Sequence, residues 1–267
     1  MSRATAIALA LVLGIAGRSA TAAEPQQQAL VVEPDAVAAA KRAGDFLREQ
    51  DRFAFTAETA YEVVQEDGSR LEFGATRRYL LRRPDRVRVE SRARSGERRL
   101  MVLDGRQLTY AELDANVYAR MDFGKPREID AVVDLLRDGL GLPLPLAELL
   151  RSDPREELTG HLVDAFVVGT ETLADTPCDH VALRTDETEL QLWIAQGDEP
   201  LLQRIVITYR GEPGEPSFAA DFKDWKLGKR SSDRDFRWDP PKDAERIPFA
   251  LRAIRPADAP ALQEGSR

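Results

Sequence analysis

Two residues in this chain have the types and spacing to do chemistry together, Cys178 and His180. In a strand, positions i and i+2 share a face, so the thiol and the imidazole would stand side by side. Such a pair can ligate a metal, or act as a nucleophile and its base. The rest of the composition argues against both. Cys178 is the only cysteine, and His161 is the only other histidine. Structural zinc needs four ligands, commonly with several cysteines among them. The plainer reading is a small buried Cys178 and a His180 ring packed at the rim of a sheet. The carboxylates are numerous but scattered. Asp221 and Asp224 flank Phe222 and sit three apart, on opposite faces of a strand; Asp186, Glu187 and Glu189 crowd a turn; Asp233 and Asp235 are similarly weak. A paired-carboxylate hydrolase needs two acids converging across a cleft, which nothing local provides. There is no Gly-rich phosphate loop after a strand, no HExxH helix and no GxSxG elbow. The expectation is no catalytic residues, no metal and no cofactor.

The sharper anomaly is a run of arginines. Arg77, Arg78, Arg82, Arg83, Arg86, Arg88, Arg92, Arg94, Arg98 and Arg99 face only Asp85, Glu90 and Glu97 in the same stretch. Its functional reading is a patch centred on Arg86, Arg88 and Arg92 that meets anionic lipid headgroups or an acidic partner. The alternative is a solvated outer sheet face with cross-strand partners in Glu58, Glu62 and Glu72.

The elements that hold these residues are mostly strands. From Glu171 to Arg210, apolar residues recur with a period of two: Val181 and Leu183; Leu190, Leu192 and Ile194; Ile205, Ile207 and Tyr209. Asp186-Glu187 and Gly197-Asp198-Glu199-Pro200 mark the turns between them. An earlier meander runs from Arg52 to Asp122, through Phe53, Phe55, Tyr61, Phe73 and Tyr79. Its turns are at Glu66-Asp67-Gly68, Pro84-Asp85, Ser95-Gly96, Asp104-Gly105 and Asp114-Ala115-Asn116. A helix is expected from Pro34 to about Gln50, since Pro suits a first helical turn and Val37, Ala40, Gly44 and Leu47 share a face. Between the meanders, residues 129–159 read as a helical insertion. It is richer in apolar residues than solvent-facing helices need, and so is expected to be a lid or plug. Phe218, Ala220 and Phe222 lead a further strand, and Ile247 and Phe249 suggest a final edge.

Residues 1–23 read as a cleaved signal peptide: Arg3, an apolar run from Ala4 to Gly17, then Ala20-Thr21-Ala22. The expected organisation is a flexible leader at 24–33, one domain at 34–255 and a disordered tail at 256–267. The expected compartment is the periplasm. The formal net charge of −8 becomes −10 once Arg3 and Arg18 are removed, which argues against nucleic-acid binding. A single cysteine rules out an intrachain disulfide.

Several short motifs then carry a resemblance. They are Cys178-x-His180, Trp193-Ile194, Ile205-Val206-Ile207-Thr208-Tyr209, Asp221-Phe222-x-Asp224-Trp225-Lys226 and Phe236-x-Trp238-x-Pro240-Pro241-x-x-Ala244-x-x-Ile247. In this order the chain resembles the predicted periplasmic proteins numbered 2092 among domains of unknown function. That family is similar in fold to the lipoprotein carriers LolA and LolB. The resemblance implies a mainly β (α+β) fold, an incompletely closed antiparallel β-barrel with an N-terminal helix and a helical lid. It also implies non-catalytic binding of a lipid, an acyl chain or a lipidated protein. A half-closed barrel leaves an apolar interior to be filled by side chains, a lid or a ligand. The candidate wall is Phe55, Tyr61, Phe73, Tyr79, Trp193, Ile205 and Phe222, and the candidate lid is Leu136, Leu140 and Leu146. The expected partners are a hydrophobic ligand or a lipidated protein and an anionic membrane surface, with the chain a monomer. The competing readings are an envelope interaction or sensor module whose barrel is filled by its own lid, and, last, a hydrolase using acids around Asp221 and Asp224.

Overall fold

The structure, a computed structural model, describes residues 30–140 and 146–249. The expected signal peptide, most of the leader and the expected tail lie outside the described residues.

Twelve strands form one sheet: β1 (Arg52–Val64), β2 (Arg70–Arg82), β3 (Arg86–Ala93), β4 (Arg98–Leu103), β5 (Gln107–Glu112), β6 (Val117–Asp122), β7 (Asp164–Leu173), β8 (Thr176–Arg184), β9 (Thr188–Ala195), β10 (Leu202–Tyr209), β11 (Ser217–Leu227) and β12 (Glu245–Arg246). Their spatial order is β12-β6-β5-β4-β3-β2-β1-β11-β10-β9-β8-β7. The two expected meanders are therefore halves of one sheet, joined where β1 pairs antiparallel with β11. Its two edges, β12 and β7, do not pair with each other, so the sheet is open, as the half-barrel expectation required. The final edge is Glu245–Arg246, just before the expected Ile247 and Phe249, and it runs parallel to β6.

Helix α1 (Pro34–Arg48) has Pro at its start and Asp35 in its first turn, where an acid suits the positive end of the helix dipole. Its buried face is Ala36, Ala39, Ala40, Ala43, Gly44 and Leu47, while Val37 and Phe46 are half-buried. Small residues let the helix lie close to β7, β8 and β9. The insertion is α2 (Ile129–Asp134), a π-turn (Leu135–Gly139), a 3-10 turn (Ala147–Leu150) and α3 (Arg155–Thr159). At Gly44 an added Cβ would stand 2.7 Å from Cγ and 3.1 Å from Cα of Arg155, so glycine is what lets α3 seat on α1. Ile129, Val132, Val133, Leu136, Leu146, Leu149, Leu150 and Leu158 join one core with the concave side of the sheet.

Two bulges change which residues share a face. In β11 the register with β1 shifts near Asp224, which has φ 54°. An extra residue there reverses the alternation. Phe222 and Trp225, an even and an odd position, consequently both meet Phe55, at centroid distances of 5.6 and 4.5 Å. In β7 the register with β8 shifts between Val167 and Gly169.

After β11 the chain crosses the convex face as a strap, from Gly228 to β12. Phe236 is fully buried there with Leu100, Val102 and Ala111, and Trp238 packs edge-on against Tyr118 at 5.8 Å.

Candidate functional site

The concave face divides into a covered half and an open half. In the covered half Phe53, Phe55, Tyr79, Leu81, Val87, Leu103 and Leu108 are buried under the helices. Phe55 stacks on Tyr79 at 4.5 Å. Toward the β1–β2 hairpin the registers align Phe73, Tyr61, Phe218, Ile207 and Leu190 in one row across five strands. Phe218 is buried; Phe73, Tyr61, Ile207 and Leu190 are half-buried, as is Tyr209 beyond them. Tyr61 and Phe73 stack at 5.6 Å. The helical cover thus stops short of an aromatic and aliphatic row.

Six of the seven candidate wall residues fall on this concave face: Phe55, Tyr79, Ile205 and Phe222 deep, Tyr61 and Phe73 in the open row. Trp193 does not; it stands on the opposite, convex face, one position out of phase with Leu192 and Ile194. Leu136 and Leu146 are buried against the sheet, and Leu140 packs half-buried beside them.

A polar row interrupts the apolar surface. Arg77, Ser91, Arg99 and Glu112 are consecutive cross-strand neighbours on β2 to β5, in phase with Tyr79 and Leu81. Two of the arginines from the run thus point inward, against the reading of that run as one outer patch. Arg77 is 7% exposed and donates a hydrogen bond to the Thr59 hydroxyl, which donates to the carbonyl of Ala75 at 3.0 Å. Burial pushes the Arg77 guanidinium below its ordinary value and the Tyr61 phenol up to about 12. Among the described residues, the buried Tyr61 hydroxyl and Ser91 Oγ have no hydrogen-bond partner. A trough with apolar walls and these polar groups at one side suits an amphiphile better than a pure hydrocarbon.

Arg86, Arg88 and Arg92 do lie on the convex face. Arg86 pairs with Asp85 and Arg88 with Glu90, each at 2.8 Å, while Arg92 is exposed. Of the expected cross-strand acids, Glu72 pairs with Arg94 of the run at 2.6 Å, while Glu58 and Glu62 are engaged with cations outside it, Lys223 at 2.9 Å and Arg70 at 2.8 Å.

Cys178 and His180 share the convex face but do not act as a pair. The thiol donates to the Thr176 carbonyl at 3.3 Å, and burial pushes its pKa up, away from a thiolate. His180 is held between Glu171 Oε1 at 2.9 Å and Gln191 Oε1 at 3.1 Å, and stacks on Trp193 at 4.0 Å. The Trp193 indole N–H donates to Glu171 Oε2 at 3.0 Å, and that bond is the first cause holding the Glu171 carboxyl below its usual range. Both ring nitrogens and both carboxylate oxygens thus have hydrogen-bond partners within this cluster. The sequence signal for it was Gly169, whose bulge brings Glu171 into phase with His180. Among the described residues, no three His, Cys, Asp or Glu side chains converge as a metal ion would need, and no helix is long and apolar enough to cross a membrane.

Several solved structures are similar in strand layout. LprF from Mycobacterium bovis aligns at TM-score 0.47 and 9% identity, over 73% of this chain and 94% of that one. Lipoprotein LppX from Mycobacterium tuberculosis aligns at 0.43 and 13%, over 72% and 96%. A LolA superfamily protein from Nitrosomonas europaea aligns at 0.37 and 15%, over 76% and 97%. No curated protein matches the sequence. A family model described as predicted periplasmic protein, DUF2092, matches residues 36–250, the helix, the whole sheet and the cover alike, and the chain belongs to that family.

Proposed function

We propose that this protein holds the apolar part of an amphiphile in the open half of its concave face, in the cell envelope and without chemical conversion. The amphiphile is a lipid, a free acyl chain or the acyl group of a lipidated protein. The observation that supports this most is the half-buried row Phe73, Tyr61, Ile207 and Leu190, which continues the buried core beyond the edge of its helical cover. Burial of such surface contributes roughly 25 cal/mol per Å² before ordering costs. The cover residues Leu136, Leu140 and Leu146 would move aside to lengthen the trough, and Arg77, Ser91 and Arg99 would face the ester or head of the ligand.

A second reading has its own support. Leu136, Leu146, Leu149 and Leu150 are at most 4% exposed, which supports a deep half filled by the protein itself. That favours an interaction module in which the open row takes an apolar segment of a protein partner.

Native mass spectrometry of the protein purified from periplasm without detergent, followed by solvent extraction, separates the two. A stoichiometric lipid or acyl adduct is the expected result. A clean apo mass, unchanged after incubation with lipids and acylated peptides, overturns the carrier reading and leaves the interaction module.

A further inference from the structure

The convex face carries a second site, on the side of the sheet away from the trough. Where the strap crosses β2 and β3 it leaves a groove of about 520 Å³, lined by Arg78, Tyr79, Leu80, Arg88 and Glu90 from the sheet and by Lys229, Arg234, Asp235 and Arg237 from the strap. That volume is in the range of small-ligand sites. The groove is built rather than incidental. Phe236 anchors the strap in a fully buried position, and Arg88 donates to the carbonyls of Asp235 at 3.4 Å and Arg237 at 3.3 Å.

Its charge is unbalanced. Glu90 is taken by Arg88 at 2.8 Å. Asp235 accepts from the Ser232 amide at 2.6 Å and its hydroxyl at 3.0 Å, and also feels the charges of Lys229 and Arg88. Among the described residues Arg78, Lys229, Arg234 and Arg237 form no close ion pair, in a chain whose net charge is −8; Arg78 lies across from Glu90, Lys229 near Asp235 and Arg237 near Asp233, so the seven charged side chains that line the groove still sum to a net positive charge. Gathering these exposed cations around one groove raises the local positive potential and so favours an anion there. Three of the four are guanidiniums, whose planar forks match the oxygens of phosphate two at a time.

We propose that this groove binds a phosphate-bearing ligand carrying at least two negative charges, with Arg78, Lys229, Arg234 and Arg237 as its contacts. The ligand is either a free phosphorylated molecule or the phosphorylated headgroup of a lipid. The site stands apart from the trough, so it holds or fails independently of acyl binding there.

The test is calorimetric titration of the whole protein at low salt with inorganic pyrophosphate, alongside co-sedimentation with phosphatidylglycerol vesicles. Arg78→Glu and Arg234→Glu should each weaken pyrophosphate binding at least tenfold. Lys41→Glu makes the same charge change on an exposed position of α1, across the sheet, and should change it less than twofold. Arg78→Lys, which keeps charge and fold but loses the fork, should weaken it severalfold. Pyrophosphate binding without vesicle binding assigns a soluble ligand; vesicle binding displaced by pyrophosphate assigns a lipid headgroup. The proposal is overturned if pyrophosphate does not bind, if Lys41→Glu weakens binding as much as Arg78→Glu, or if polyglutamate binds more tightly with the same residue dependence. Near-ultraviolet circular dichroism of each variant, reading the Tyr118–Trp238 packing, shows that the strap is still in place.

Discussion

Leu149 offers a way to ask whether the helical cover is a separable element or simply core. It lies in the 3-10 turn of the insertion and is 1% exposed. Truncating a buried leucine to alanine removes about 3 kcal/mol of packing when the surroundings do not collapse. If the cover lifts as a unit, all of that loss falls on its docking. At 1.4 kcal/mol per factor of ten, the open population rises about 100-fold. Native-state hydrogen exchange of Leu149→Ala reads this directly. Amides in residues 146–159 should exchange about 100-fold faster, while the free energy of exchange in β9 falls by no more than the global change. Leu192→Ala, buried on the sheet itself, should instead lower both regions together. A ligand that binds only beneath the lifted cover should bind Leu149→Ala more tightly, because less free energy is spent on opening. The reasoning fails if residues 146–159 exchange with the same free energy as β9 in both the parent and the variant. The cover would then unfold only with the whole domain, and no ligand could enter by displacing it.

Four further outcomes are expected. Gly44→Val places side-chain atoms against the Arg155 backbone, so it should separate α3 from α1 and raise exchange across 155–159, with β1 and β2 unaffected. Asp153 is held down to about 2, first by its side-chain bond to Arg155. Its stabilising contribution is present above the ordinary value near 3.8 and is lost as pH falls toward 2; carbon-13 NMR should find that midpoint, and Arg155→Ala should return it toward the ordinary value. Tyr61, at about 12, together with Tyr79 and Tyr209, should stay un-ionised past pH 10, chiefly because of burial. Since these folded values are raised, stability is whole below pH 10 and declines above it, which phenolate absorbance and alkaline melts would show. Phe236→Ala should cost about 3 kcal/mol or more, release the strap and abolish pyrophosphate binding, with the acyl adduct retained; chemical denaturation and mass spectrometry check both.

Much of this molecule is written locally. The period of two in β1 to β11, the Gly and Asp turns between strands, the Pro34 start of α1 and the apolar excess of the insertion are all short-range signals. Each follows from backbone geometry within a few residues. They were enough to predict a mainly antiparallel sheet with a helix and a cover, and to place Phe55, Tyr79 and Leu146 on its inner side; that the sheet is open was what the family resemblance implied. What they left out has one physical cause, that a strand's partners and phase are decided elsewhere in the chain. Trp193 is the exception: it was expected in the wall, although the period of two through Leu190, Leu192 and Ile194 already sets it on the other face, where it meets His180 and Glu171. Trp225 entered the wall only because a bulge at Asp224 inserts one residue and reverses the alternation. Arg77 and Arg99 belong by sequence to a basic run, and by strand phase to the interior. The union of β1 with β11, and the strap that turns scattered residues from Arg78 to Arg237 into one groove, depend on pairings more than a hundred residues apart. Local composition sets which surfaces can be apolar or charged; only the closed set of long-range hydrogen bonds decides which of them meet.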